Sequence, residues 1–304
     1  YTVSLAAAKD PGYTVSEDGK TYTVYTDEGL RNVAKLVNEE WKLDINITLT
    51  GDIDLTGIDW TPIGKGYNHQ YTGTFDGGTY TITGLTVTGS YKYAGLFGDI
   101  DENGTVKNVV MEGVQITSDN SSGYAGGVAG NSWGNIENCS VSGSVSGSDV
   151  GGVVGYQLVG SITGCSSSAT VKGMNRAGGV VGVTNNGAIL TACYATGDVT
   201  VENDGTSNAW AGGVVGSNAY STVIACYAAG NVSGNIVGGA VGVNYANVTA
   251  CYWSGLPDND NGGATKVDGT TVTWQTAVDA MNAALSGKGW QYELTGALPT
   301  LKKQ

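Results

Sequence analysis

The sequence predicts an all-β chain, a single-stranded right-handed parallel β-helix with three strands per coil and a short capping helix at each end. Three observations carry this. A glycine-rich segment recurs six times, as AGLFG (94–98), AGGVAG (125–130), VGGVVG (150–155), AGGVVG (177–182), AGGVVG (211–216) and VGGAVG (237–242). Its closing glycines are spaced by 32, 25, 27, 34 and 26 residues, a period near that of one solenoid coil with two stretched units. Two further short apolar segments follow each copy at nearly fixed distances, so each unit holds three strand-sized stretches, none periodic enough for a helix.

Taken along the chain, residues 1–12, with Ala6-Ala7-Ala8 and Pro11-Gly12, read as a lead-in or tether. Residues 13–304 read as one β-helix domain. Its first part, 13–92, begins with Thr26-Asp27-Glu28 before Leu30, Val33, Ala34 and Val37. That is an N-capped, acid-led amphipathic pattern and predicts a helix over about 27–39 covering the first coil. Strand-like stretches at 44–55 and 73–89 supply the first coils. The glycine repeats fill 93–256. Within them GNIENC (134–139), GSITGC (160–165), AILTAC (188–193), TVIAC (222–226) and NVTAC (247–251) form the second segment. Val145, Val171, Val199 and Val232 mark the third, each six residues past a cysteine. Alternation within each stretch fits a strand with one buried face. Right-handedness is the general expectation for parallel crossovers. The closing part, 257–304, contains TWQTAVDAMNAAL (273–285), a second helix placing Ala277, Val278 and Met281 on one face, with Trp274, Trp290 and Leu294 packed around it.

Composition narrows the function classes. The chain has 304 residues, 50 of them glycine, and a formal net charge of −13. This acidity disfavours nucleic acid and anionic membrane surfaces as partners. No apolar run approaches the ~18 residues of a membrane span. The five cysteines, Cys139, Cys165, Cys193, Cys226 and Cys251, hold one repeat position, without CxxC spacing and with a single histidine, His69. They read as a buried ladder of small side chains rather than a zinc or catalytic site.

The residues resemble the GLUG-motif repeat proteins of bacterial cell surfaces. Gly95-Leu96-Phe97-Gly98 matches the motif core, and Gly127-Val128-Ala129-Gly130 and later copies are variants of it. LTGDIDLTGIDWTPIG (49–64) and YTGTFDGGTYTITGLTV (71–87) are similar to the lead-in that precedes such repeats, and WQTAVDAMNAAL and ALPTLK to the closing segment. The resemblance covers about residues 20–304. It implies an exported protein of the cell surface or extracellular space, in a family many of whose members are described only as adhesins. Some members sit beside metallopeptidases that cut immunoglobulin A1; no HExxH occurs in this sequence.

A carbohydrate-active enzyme on this scaffold would need paired carboxylates. Only ten charged residues lie between Gly104 and Leu256, at no common repeat position. Asp52, Asp54, Asp59 and Asp76 form the best acidic group, and turn or cap roles suit them better. Asp258 and Asp260 in DNDNG resemble the start of a calcium loop, but Gly269 stands where the bidentate glutamate belongs. No cofactor is otherwise expected.

Aromatic residues are the binding candidates. Tyr194, Tyr227 and Tyr252 each follow a ladder cysteine, and alternation turns them outward. Trp133, Tyr220 and Tyr245 sit three or four residues past a closing glycine, at one corner. Trp210 borders the insertion at 201–210, and a second insertion lies near 117–124. The expectation is a monomeric, non-catalytic, adhesin-like protein binding a glycan, glycoprotein or other extracellular ligand, without membrane insertion by this region. A polysaccharide lyase or glycoside hydrolase is the alternative, and a structural stalk or spacer the next.

Overall fold

A computed structural model describes residues 9–202 and 209–304. The structure is a parallel β-solenoid of about eight turns with three sheets and two short helices. The first sheet runs from Tyr13–Val15 through Thr21–Val24, Asn46–Leu49 and Thr74–Asp76 to Asn247–Thr249, in ten strands. Its first pair is antiparallel and every later one parallel. The third sheet stacks Phe97–Ile100, Ala129–Ser132, Val154–Gln157, Val181–Thr184, Val215–Asn218 and Val241–Asn244. A second, 17-stranded sheet joins these two around each turn.

Register stacks like on like. Phe75, Val106, Ile136, Ile162, Leu190 and Val223 follow one another in the first sheet, each no more than 1% exposed. The cysteines form the expected ladder: all five are free and buried. The backbone N–H of Cys139 points at the sulfur of Cys165, that of Cys165 at Cys193 and that of Cys193 at Cys226, each at 3.4 Å. Burial pushes the thiols of Cys139, Cys193 and Cys251 well above the usual thiol range.

The recurring glycines are needed where backbone meets backbone. A Cβ on Gly126, Gly151, Gly178 or Gly212 would lie 2.0–2.3 Å from the carbonyl oxygen three residues on. A Cβ on Gly130, Gly155, Gly182 or Gly216 would press into the strand of the preceding coil, 2.5–2.6 Å from main-chain atoms. The motif is therefore a steric signature of a fold-back between the second and third sheets.

Helix α1 spans Asp27–Glu40, with Thr26 Oγ1 accepting from Gly29 N at 3.0 Å. It buries Leu30, Val33 and Val37 completely, about 1.5–3 kcal/mol each. Helix α2 spans Trp274–Ala284, capped by Thr273. The chain after it forms an antiparallel pair, Trp290–Glu293 with Thr300–Lys303. This C-terminal segment packs back along the solenoid flank, its Ala277, Val278 and Met281 clustering with the outward-facing Ala192, Ala225, Tyr227 and Tyr252. Tyr292 Oη donates to Ala225 O and Cys193 O at 3.0 and 3.3 Å, Trp290 covers Gly164, and Lys303 pairs with Glu137 at 2.6 Å. It acts as a strap across successive coils.

Candidate functional site

The strap corrects one expectation. Tyr194, Tyr227 and Tyr252 point away from the coil interior, as alternation requires, but they do not form a solvent-facing stripe. Tyr227 is 1% exposed and Tyr252 9%. Tyr227 donates to Pro299 O at 2.6 Å and meets Trp274 and Tyr292 edge-on at 5.1 and 5.7 Å. Tyr194 alone is half-buried, stacked on Tyr227 at 5.0 Å with rings 3° apart.

The corner group divides likewise. Register in the third sheet aligns Ser132, Gln157, Thr184, Asn218 and Asn244. The next residues, Trp133, Leu158, Asn185, Ala219 and Tyr245, therefore hold one position. Trp133 and Tyr245 lie four coils apart, roughly 19 Å at the strand spacing, with no aromatic residue at that position between them. Trp133 is half-buried. Tyr245 and Tyr220, on neighbouring coils and one residue apart in register, are 63% and 74% exposed. Their backbone is pinned by a buried polar ladder: Thr184 Oγ1 donates to Asn218 Oδ1 at 2.8 Å, and Asn218 Nδ2 to Asn244 Oδ1 at 2.7 Å. Such side chains fix the corner rather than leaving it to loop chemistry.

Trp210 belongs to a row whose members each directly precede a copy of the glycine segment. Tyr93, Tyr124, Asp149, Arg176 and Trp210 align in register in the second sheet. The Tyr93 and Tyr124 rings are 5.7 Å apart, and Tyr124 stacks on Tyr156 of the third sheet at 4.8 Å. Lys92 lies 5.1 Å above the Tyr93 ring. Arg176 grips Asp149 with two hydrogen bonds of 2.9 and 2.5 Å. Beside this row sits Asp99, 1% exposed, accepting from Asn131 Nδ2 at 2.8 Å and Gln70 Nε2 at 3.2 Å. Burial pushes its carboxyl up to about 6. Asp99 and Asn131 each directly follow a closing glycine, Gly98 and Gly130, and the coil register sets one against the other. Residues 203–208 of the expected 201–210 insertion lie outside the described residues, as do residues 1–8 of the lead-in.

The acidic candidates serve the backbone. Asp52 accepts from Thr81 N, Asp54 from Thr56 N, and Asp76 from Gly78 N and Asn108 Nδ2, each at 2.9 Å, while Asp59 accepts from Thr88 Oγ1 at 3.4 Å. Asp258 pairs with Lys266. Asp260 Oδ1 accepts from Ala240 N and Val241 N at 3.1 and 3.2 Å, and Oδ2 from Gly262 N and Ala264 N at 2.9 and 2.8 Å. Among the described residues no group of three His, Cys, Asp or Glu side chains is placed to hold a metal ion. The carboxylates expected to start a calcium loop are committed to a lysine and to main-chain donors.

Residues 121–146 and 146–172 match the GLUG motif. A protein of Evansella cellulosilytica, described provisionally as a Gly-rich membrane protein, is 36% identical over 123 residues, which are 40% of this chain and 14% of that protein. Halomucin of Haloquadratum walsbyi is 31% identical over 202 residues, 59% of this chain and 2% of that protein. The chain thus matches only a small part of the length of these relatives. Among solved structures, a Bacteroides ovatus protein described provisionally as an immunoglobulin A1 protease superposes with a TM-score of 0.72 at 18% identity, over 95% of this chain and 94% of that one. An IgA1 protease superposes with a TM-score of 0.58 at 18% identity, over 80% of this chain and 20% of that one. These likenesses show the fold. Among the described residues no helix is long and apolar enough to cross a membrane.

Proposed function

We propose that the chain is an adhesin-like section of a longer bacterial surface protein, binding a glycan, glycoprotein or other extracellular ligand without catalysing a reaction on it. The observation that supports this best is the pair Tyr220 and Tyr245, exposed on adjacent coils of a pinned corner. Two aromatic side chains held in water on a rigid scaffold gain nothing for folding and offer contact area at low entropic cost. The commitment of Asp52, Asp54, Asp76 and Asp260 to backbone donors supports the non-catalytic part of the reading. A surface location is supported by the likeness to a protein named for the membrane.

The test is an array of glycans, mucins and matrix proteins probed with the folded protein and with a Tyr220→Ala/Tyr245→Ala variant. Saturable binding, weakened at least tenfold in the variant, is the expected result. Absence of binding to every probe overturns it and favours a stalk or spacer, a reading supported by the 14% and 2% of its relatives' lengths that the chain matches.

A further inference from the structure

One outward-facing ladder changes size along the solenoid. At the head of the second sheet, register aligns Thr81, Val110, Ser140, Ser166, Tyr194, Tyr227 and Tyr252. The step from serine to tyrosine leaves a trough over the small residues. Tyr194 has Tyr227 stacked on one ring face, so its other face looks along the axis over Ser166. Two cavities of about 220 and 150 Å³ occupy this step and share Val110, Ser140, Ser166 and Tyr194 as lining. Each is smaller than the roughly 300–1,000 Å³ typical of enclosed small-ligand sites, as suits a shallow groove along which a chain of rings can lie. From Val110 to Tyr194 is three coils, roughly 14 Å.

The strap completes the trough. Trp290 and Leu301 line its side, and Trp290 is seated by Gly164, where a Cβ would lie 2.1 Å from the indole. The opposite side carries Glu112, the single charged residue in the lining. The remaining polar lining consists of hydroxyls and amides, Ser140, Ser166 and Asn138 among them.

We propose that this trough binds a neutral oligosaccharide, one sugar ring resting on the open face of Tyr194 and its hydroxyls meeting Ser140, Ser166 and Asn138. The chemistry selects this class. An aromatic face matches the C–H face of a pyranose, and serine and asparagine both donate to and accept from sugar hydroxyls. Glu112 is in the lining, and the nearby cation, Lys303 Nζ at 5.7 Å from the Trp290 ring, is already paired with Glu137, so an acidic sugar finds repulsion and no free counter-charge. This inference rests on the ligand-binding reading above and adds to it a second site, apart from the Tyr220 and Tyr245 corner, with a substrate class of its own.

The experiment titrates the folded protein by calorimetry with cellotetraose, chitotetraose and maltotetraose, and with tetragalacturonate as the acidic counterpart. Ser166→Tyr fills the trough by extending the existing tyrosine stack by one coil. Tyr194→Ala removes the platform and serves if the first variant misfolds, folding being checked by circular dichroism. At least one neutral tetrasaccharide is expected to bind, with affinity lowered at least tenfold in both variants and unchanged in Gly296→Ala, whose added methyl meets nothing within 4 Å. Neutral-sugar binding that survives trough filling overturns the trough and leaves the general role standing. Binding of tetragalacturonate alone overturns the charge argument. No tetrasaccharide binding despite array binding overturns the trough alone, and no binding in either assay overturns both readings.

Discussion

Asp260 ends the solenoid by imitating the coil that is not there. Along the third-sheet corner each coil donates to the next: Val153 N to Val180 O, Val180 N to Val214 O, and Val214 N to Ala240 O. Val154, Val181 and Val215 donate to the same three carbonyls. At the last coil Ala240 N and Val241 N have no carbonyl ahead of them, and both donate to Asp260 Oδ1 instead. The second carboxylate oxygen holds the approaching loop through Gly262 N and Ala264 N. Asp260→Ala strips the acceptor from four main-chain donors. A hydrogen bond to a charged group contributes about 1.5–3 kcal/mol, but water re-solvates these half-buried donors, leaving a net cost near 1 kcal/mol each, or about 3–4 kcal/mol. Asp260→Asn keeps one oxygen and is expected to lose about half of that. Because solenoid coils fray from their ends, the loss should be local. Amide hydrogen exchange at Ala240 and Val241 is the assay. Exchange accelerated by roughly a few hundred-fold in Asp260→Ala, with coils before Gly155 unchanged, is the expected result. Exchange at Ala240 and Val241 within threefold of the parent would refute the idea that this carboxylate terminates the ladder.

Three further outcomes are expected. The folded carboxyl of Asp99 keeps its proton up to about pH 6, whereas the unfolded one releases it near 3.8. Its contribution is therefore full below pH 3.8 and lost as pH rises through 6, by about 3 kcal/mol; Asp99→Asn should remove that fall, and equal pH dependence of urea unfolding in parent and variant would sink the assignment. Gly178→Ala places a methyl 2.0 Å from Val181 O and should cost about 3 kcal/mol, while Gly296→Ala, with nothing within 4 Å, should be neutral, as thermal melts can check. All five thiols should resist a thiol reagent in the native protein and react in denaturant, and rapid native labelling of any of them would contradict the ladder.

Much of the fold was legible because a solenoid writes its cross-section repeatedly. The spacing of Gly130, Gly155 and Gly182 gives the coil, and the cysteines give its register. Helix α1 was legible from Thr26, Leu30, Val33 and Val37, a purely local pattern. The surface was less so. Alternation places Tyr227 outside its coil but cannot say that Pro299, 72 residues later, returns to cover it. Equal offsets from a closing glycine put Trp133 and Tyr245 at one corner, while the distance between them depends on how many coils intervene. Asp260 looked like a cation ligand because carboxylates that cap main-chain donors and carboxylates that hold calcium share the same Asp, Asn and Gly neighbours. The deciding partner, Ala240 N, lies 20 residues upstream. Asp99 and its partner Asn131 each directly follow a closing glycine, Gly98 and Gly130, so the repeat spacing aligned them, but nothing in the sequence marked the aspartate as buried.

The strap has a mechanical consequence. A stack of coils pulled from its end peels one rung at a time, each rung resisting alone, because every coil touches only its neighbours. Here the last rungs are not free to leave singly. Tyr292 is tied to the carbonyls of both Cys193 and Ala225, Tyr227 to Pro299, and Lys303 to Glu137, a contact spanning 166 residues. Tension applied at the C-terminus meets the strap first and loads these fastenings together, in shear along the axis. The C-terminal half should then yield as one block under force, with a single large extension where an unstrapped solenoid would give a ripple of small ones.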